Sequence, residues 1–382
     1  VTPLELETLV RRAAVGAFGL GDADVPFVWP RADHADEGAD AAIALAPRLV
    51  GRLREGLPRG REDSHRLTVS GRIVARIAAM ADEGEPDTGF AHVHTDQRGF
   101  ANFTFTCEQR QSLLQAAADG PRYLTGRSWT GTGEWPHSDL HEAGPLAQAR
   151  RYARADARAR IAMAVDGGPP PPSPGGEVSW RDRYLDTDQS ALFTPSGRAL
   201  GRIGEASARV AFCRSVPERP RENETTGRDL PVLPSADNPG SWARLTDANP
   251  AFRLRYAHAH ALSSTRWAAD QRAADQSAAT GRTTTRARCH HEHGAKVRGL
   301  LFDGPSVLDT AARREEPHIL VRYLEALTSA YDEWRTGSTA GAEPATEPEP
   351  TWAALDPALP AAVAGVVGTG LFLLGVSAPT RL

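Results

Sequence analysis

From residue 358 to residue 376 the chain is almost wholly apolar, and such a stretch has only two places to go. It is about long enough to span a bilayer. It also holds Pro360, several Gly and many Ala, and no basic cluster flanks it to orient a span. We therefore expect a helix buried in a protein core, and no membrane partner. A buried helix needs other helices around it, each with an apolar face. Two candidates precede it. Behind Pro317, which suits a first helical position, Leu320, Leu324, Leu327, Tyr331 and Trp334 recur at four- and three-residue steps. Over residues 251–267, Leu254, Ala257, His258, Ala261 and Leu262 share one side of a helical wheel, and Arg253, Tyr256 and His260 share the other. The pattern predicts a helical bundle at the C-terminal end, with His258 a core histidine.

The rest of the chain is less uniform. Its 29 Pro and 35 Gly imply long irregular stretches. Residues 167–176 are a linker by composition, as are residues 337–350, and residues 217–240 are a polar, turn-rich loop. The first 106 residues suggest a small α+β unit. Leu4, Leu6, Leu9, Val10 and Ala13 form a helical stripe after the cap-like Thr2-Pro3. Residues 41–53 are a second helical candidate, interrupted by Pro47, and residues 67–80 fit helix or strand. Residues 99–105 alternate Phe with smaller residues, as a half-buried strand does. Residues 107–195 form a variable segment, in which 146–165 reads as a helix with Arg150, Arg151, Arg154, Arg158 and Arg160 on a solvated face, the alternative being an RNA-contact face. The expected architecture is mainly α: an α+β domain over 1–106, the variable segment over 107–195, and a helical domain over 196–382.

The net charge of −4 gives no global basic field for a nucleic acid, so any such site must be local. Lys296 is the only lysine, and arginine, which suits bidentate phosphate contacts, supplies the other basic charge. Three scattered cysteines, Cys107, Cys213 and Cys289, argue for a reducing cytoplasm and against a disulfide framework. The sequence opens on no signal-peptide pattern.

Three segments point further. Residues 249–260 read Asn-Pro-Ala-Phe-Arg-Leu-Arg-Tyr-Ala-His-Ala-His, residues 316–327 begin Glu-Pro-His and carry Arg322-Tyr323, and the chain closes on Gly370-Leu371-Phe372-Leu373-Leu374-Gly375-Val376 and six further residues. Together, in this order, they resemble the helical, DALR-type anticodon-binding domain of arginyl-tRNA synthetases. Residues 200–212 resemble the helix that joins the catalytic core of that family to this domain. The Gly99-Phe100-Ala101-Asn102-Phe103 run is similar to the last strand of its N-terminal domain, which contacts the outer corner of tRNA. The departures are His260 where the family has arginine, Thr380 where it has glutamate and Leu382 where it has methionine. The resemblance implies tRNA as partner, arginine tRNA first, with Arg253, Arg255, Tyr256 and His260 as contact residues. Their chemistry suits RNA, with arginine for phosphate, tyrosine for base stacking and histidine as a weak donor.

The family's catalytic parts are missing from the pattern. No His-x-Gly-His occurs, and a Lys-Met-Ser-Lys loop needs two lysines. Fewer than a hundred residues separate Phe105 from Gly197, too few for a nucleotide-binding core. We expect no catalytic residue, no cofactor and no aminoacylation by this chain alone. Cys289-His290-His291-Glu292-His293 is the most metal-like string, but zinc ligands come as spaced pairs from two segments, so no metal is expected. His92 and His94 are a second, weaker pair. The sequence therefore reads as a non-catalytic synthetase paralogue that binds tRNA in the cytoplasm. The rival readings are an interaction module that has lost RNA and docks on a synthetase or other protein, a ligase subunit completed by a catalytic partner, and a metal hydrolase using residues 289–293.

Overall fold

Thr2 starts the first helix, α1 (Pro3–Phe18): its hydroxyl accepts from the Glu5 N–H while the Glu5 carboxylate accepts from the Thr2 N–H. Gly19, at φ 64°, ends it in the left-handed conformation that costs glycine little. The computed structural model describes residues 1–53, 62–85, 88–171, 193–221, 223–278, 294–340 and 358–380. Among these residues there are twelve helices and one small sheet, so the chain is mainly α as expected. It divides into two compact units, one of Val1–Ala116 with Cys289–Ser306, the other of Ala117–Arg288 with Val307–Leu382.

In the first unit a three-stranded antiparallel sheet, of β1 (Ala41–Ile43), β2 (His92–Thr95) and β3 (Ala101–Thr104), has β3 at its centre. Phe103 of β3 pairs with Ala41 on one side and Val93 on the other, and its ring is fully buried. Helix α3 (Glu62–Asp82) packs on the sheet and on α1 and α2 (Leu45–Leu53), burying Val69, Ile73, Ile77 and Met80. The ambiguous 67–80 stretch is therefore helical. Residues 41–53 are not one interrupted helix but a strand followed by α2. Pro47 falls in the first turn of α2, where no helical partner awaits its missing N–H. Leu4, assigned to the core stripe, is 39% exposed, and Ala14 takes its place inside. Helix α4 (Cys107–Ala118) follows the sheet. Cys107 is disulfide-bonded, contrary to the sequence reading, because cysteine spacing along a chain says nothing about approach in space. Cys213 is a free thiol, and burial pushes it up to about 11.

The second unit holds α5 (Gly120–Thr125), α6 (Leu146–Val165), α7 (Pro195–Ile203), α8 (Glu205–Arg214), α9 (Pro250–Ala278), α11 (Pro317–Ala340) and α12 (Ala358–Leu373). Helix α10 (Ala295–Arg314) starts in the first unit and ends in this one. The apolar C-terminal stretch is α12, buried against α9, α5 and α11. No helix of the described residues is long and apolar enough to cross a membrane.

The arginines of α6 are the main departure from the sequence reading. Arg150, Arg154 and Arg160 are buried, not solvated. Arg150 donates to Ser215 Oγ and to the carbonyls of Pro217 and Glu218. Arg154 donates to the carbonyls of Ser215 and Val216 and to the Glu218 carboxylate. Arg160 donates to the carbonyls of Pro136 and Phe372 and lies 4.9 Å above the Phe372 ring. Burial lowers both Arg150 and Arg160 to about 10. A guanidinium satisfied by several carbonyls can be buried where a lysine would be left short of partners. Only Arg151 of this set points fully outward.

Candidate nucleic-acid interface

The face of α9 is set where the helix begins. Asn249 is buried and its Oδ1 accepts from the N–H groups of Ala251 and Phe252, capping the first turn. Its Nδ2 donates to the carbonyls of Trp242 and Arg244 and to Ser207 Oγ, which fixes the cap to α8 and to the preceding loop. Pro250 takes the first helical position.

Phe252, Tyr256 and His260 then follow at four-residue steps. The rings of Phe252 and Tyr256 stack at 5.9 Å, those of Tyr256 and His260 lie 6.1 Å apart, and His260 meets Tyr331 of α11 edge-on at 5.8 Å. Tyr331 in turn stacks on Trp334 at 5.7 Å. The Arg335 guanidinium lies 5.7 Å from the Tyr256 ring centre. The result is a ladder of rings running from α9 onto α11, half-buried at Phe252, Tyr256 and His260 and buried at Tyr331 and Trp334. Aromatic faces of this kind accept a stacked base whatever its identity, and a guanidinium beside them suits phosphate.

The residues chosen from sequence have distinct surroundings. Tyr256 is the centre of the ladder. Arg253 is half-buried and donates to the Glu325 carbonyl at 3.3 Å. Arg255 is half-buried too. His260 Nδ1 lies 3.1 Å from the Tyr331 hydroxyl and 3.4 Å from Ser264 Oγ. Burial, reinforced by Arg335, holds its pKa below the ordinary imidazole value, so at neutral pH the ring is an aromatic rung and not a cation. Phe252, Tyr331, Trp334 and Arg335 were not chosen from sequence. The four-residue spacing of Phe252 and Tyr256 was a usable signal, whereas the α11 residues read as core and join only through packing.

His258 faces the other way, as a core histidine should. Its Nδ1–H donates to the Pro379 carbonyl at 3.0 Å, and a side chain at Gly368 would fall 2.9 Å from its Nε2. The bond ties the segment after α12 to α9. His258, His260 and His318 all have pKa values held down first by burial. Between the unfolded value of about 6.5 and their lower folded values, the unfolded chain binds more protons. Their share of stability is thus present above about pH 6.5 and lost as pH falls through the folded values. His258→Leu should therefore reduce the drop in urea midpoint between about pH 7.5 and 5.5. An unchanged drop would rule His258 out as a contributor. The comparison with the parent chain removes the opposite contribution of Glu7, which burial raises to about 6.

The other sequence candidates do not form a site among the described residues. His92 and His94 stack at 5.1 Å on β2, with His94 Nε2 3.6 Å from Asp36, and no group of described His, Cys, Asp and Glu side chains can hold a metal ion. The 289–293 string lies outside the described residues.

Residues 254–382, which hold most of α9 and all of α11 and α12, match the DALR anticodon binding domain. The arginine–tRNA ligase of Bifidobacterium longum strain NCC 2705 is 31% identical over 198 residues, covering 47% of this chain and 29% of the ligase. That of Clavibacter sepedonicus is 35% identical over 183 residues, again 47% and 29%. This chain therefore spans less than a third of the length of the relatives it matches. The solved arginyl-tRNA synthetase of Thermus thermophilus aligns over 98% of this chain and 74% of its own, at 14% identity and a TM-score of 0.32. The ring ladder begins two residues before the DALR match, at Phe252, and the rest of it lies inside.

Proposed function

We propose that this chain binds tRNA through its DALR segment, with the anticodon loop on the ladder face of α9. The observation that carries the reading is the half-exposed column Phe252, Tyr256 and His260, with Arg335 against it, in the part of the chain that matches an anticodon binding family. Tyr256 supplies the stacking surface. Arg253 and Arg255 flank it and supply charge for the backbone phosphates. Arginine tRNA is the first candidate, because the relatives that match are arginine–tRNA ligases. The chain would act in the cytoplasm as a non-catalytic paralogue, regulating or assisting a complete synthetase.

One observation favours the rival reading of a protein-docking module. Arg253 and His260 already make bonds to Glu325 and Tyr331, which reduces what they offer to RNA. A titration of labelled arginine tRNA, with a non-cognate tRNA as control and at two or more salt concentrations, separates the two. The tRNA reading expects selective binding that weakens steeply with salt. The Arg253→Ala, Arg255→Ala double variant should flatten the slope of log K against log salt by about 1 to 2. Tyr256→Ala should weaken binding by about 1–3 kcal/mol with the slope unchanged. Equal or absent binding of both tRNAs would remove the RNA reading.

A further inference from the structure

The arginine–aromatic pair at the centre of the ring ladder recurs further along α9. Arg255-Tyr256 is followed, eleven residues on, by Arg266-Trp267. Eleven residues are three helical turns to within about 20°, so the second pair comes round to the side of the first. Phe252, Tyr256, His260 and Trp267 then share an arc of about 80° on the wheel, and Arg255 and Arg266 run along one border of it. Between the two pairs the same arc carries Ser263, an exposed residue whose short side chain leaves the way open. The rise from Tyr256 to Trp267 is about 16 Å. Asp270, one turn further on, puts a carboxylate on the same arc and ends its suitability for a polyanion. Trp267 is 44% exposed, the most exposed tryptophan among the described residues, whereas Trp129, Trp242 and Trp334 are buried. Arg266 is exposed too, and among the described residues no hydrogen bond or ion pair holds it.

We infer that Arg266 and Trp267 form a second stacking platform for the tRNA. Trp267 takes an unpaired base of the anticodon loop, and Arg266 meets a phosphate beside it. At about 3.4 Å per stacked nucleotide, this base stands about five nucleotides from the one on Tyr256. The strand between them passes over Ser263. The inference rests on the tRNA reading of the ladder and extends its face, still inside the segment that matches the DALR domain. It also answers a weakness of that face. Arg253 and His260 are half-buried and bonded within the protein, whereas the second pair offers its ring and its charge without breaking a bond.

Titration of labelled arginine tRNA against the full chain and its Trp267→Ala, Trp267→Phe, Arg266→Ala and Tyr256→Ala variants tests it. Trp267→Ala should weaken binding about tenfold with the slope of log K against log salt unchanged. Trp267→Phe should weaken it by less than about threefold, because a phenyl ring still stacks. Arg266→Ala should flatten the slope by about 0.7 to 1. Both positions are exposed, so the urea midpoints should stay at the parent value. Trp267→Ala binding like the parent chain while Tyr256→Ala is weakened would overturn the second platform and leave the ladder reading standing. Equal losses in Trp267→Ala and Trp267→Phe would overturn it as well, since the loss would not follow the aromatic face. A parent chain that binds no tRNA would overturn both.

Discussion

Asp156→Ala is expected to destabilise the second unit by about 3–5 kcal/mol, the usual cost of removing one partner from a buried ion pair. Asp156 lies on α6 and Arg209 on α8, both essentially buried, with Arg209 Nη1 3.0 Å from Asp156 Oδ2. Burial alone would raise the Asp156 carboxyl. The Ser138 N–H, the Arg209 guanidinium and the Ser138 hydroxyl outweigh it and hold the pKa below its ordinary value. The same guanidinium donates to Glu205 at 2.8 Å and to the Ser138 carbonyl at 2.6 Å, and Gly375 packs closely against it. Several chain segments thus converge on one charge pair. Alanine at 156 leaves Arg209 with Glu205, on its own helix, but strips the bond to α6 and the acceptor of the two Ser138 donors. Urea unfolding measures the loss. Replacing both partners, Asp156→Leu with Arg209→Met, should recover a large part of it, because neither member of the pair is then left buried without the other. A single variant as stable as the parent chain would show that the pair contributes nothing net.

The second large effect lies where α5 crosses α12. A Cβ on Gly120 would fall 2.0 Å from the Gly365 carbonyl oxygen and 2.3 Å from Thr369 Oγ1. A Cβ on Gly365 would fall 2.5 Å and 2.6 Å from the carbonyl oxygens of Ala118 and Ala117. These obstacles are mostly backbone and cannot rotate away. Gly120→Ala and Gly365→Ala should each destabilise by about 2–3 kcal/mol, despite the ~1 kcal/mol that alanine contributes to helix propensity. Gly337→Ala supplies the opposite sign. That glycine is exposed on α11, with nothing within 4 Å of its missing Cβ, so alanine should stabilise by about 0.5–1 kcal/mol. Thermal midpoints of the three variants read the result. Gly365→Ala and Gly337→Ala shifting in the same direction would contradict the packing argument.

The helices of the C-terminal bundle were legible from sequence, because the face that a helix buries is written at three- and four-residue intervals along it. Leu320, Leu324, Leu327, Tyr331 and Trp334 were assigned to one face and all are buried. The unbroken apolarity of α12 announced a helix enclosed by others, and His258 was placed in the core by its position on the wheel. Even the limits of α6, residues 146–165, could be read from its composition. The fate of its arginines could not. An arginine that faces water and one that satisfies the carbonyls of a loop some sixty residues away are spelled alike, and only the path of residues 215–218 decides between them. The same holds for the candidate interface. Sequence selected Tyr256 and His260 by residue type and face. The ladder they belong to is completed by Tyr331, Trp334 and Arg335, about seventy residues further on, through the docking of α11 against α9. Periodicity is a local property and determined which side of each helix turns inward. Which rings then meet, and which charges are buried, is a property of helices in contact, and tertiary packing alone decided it.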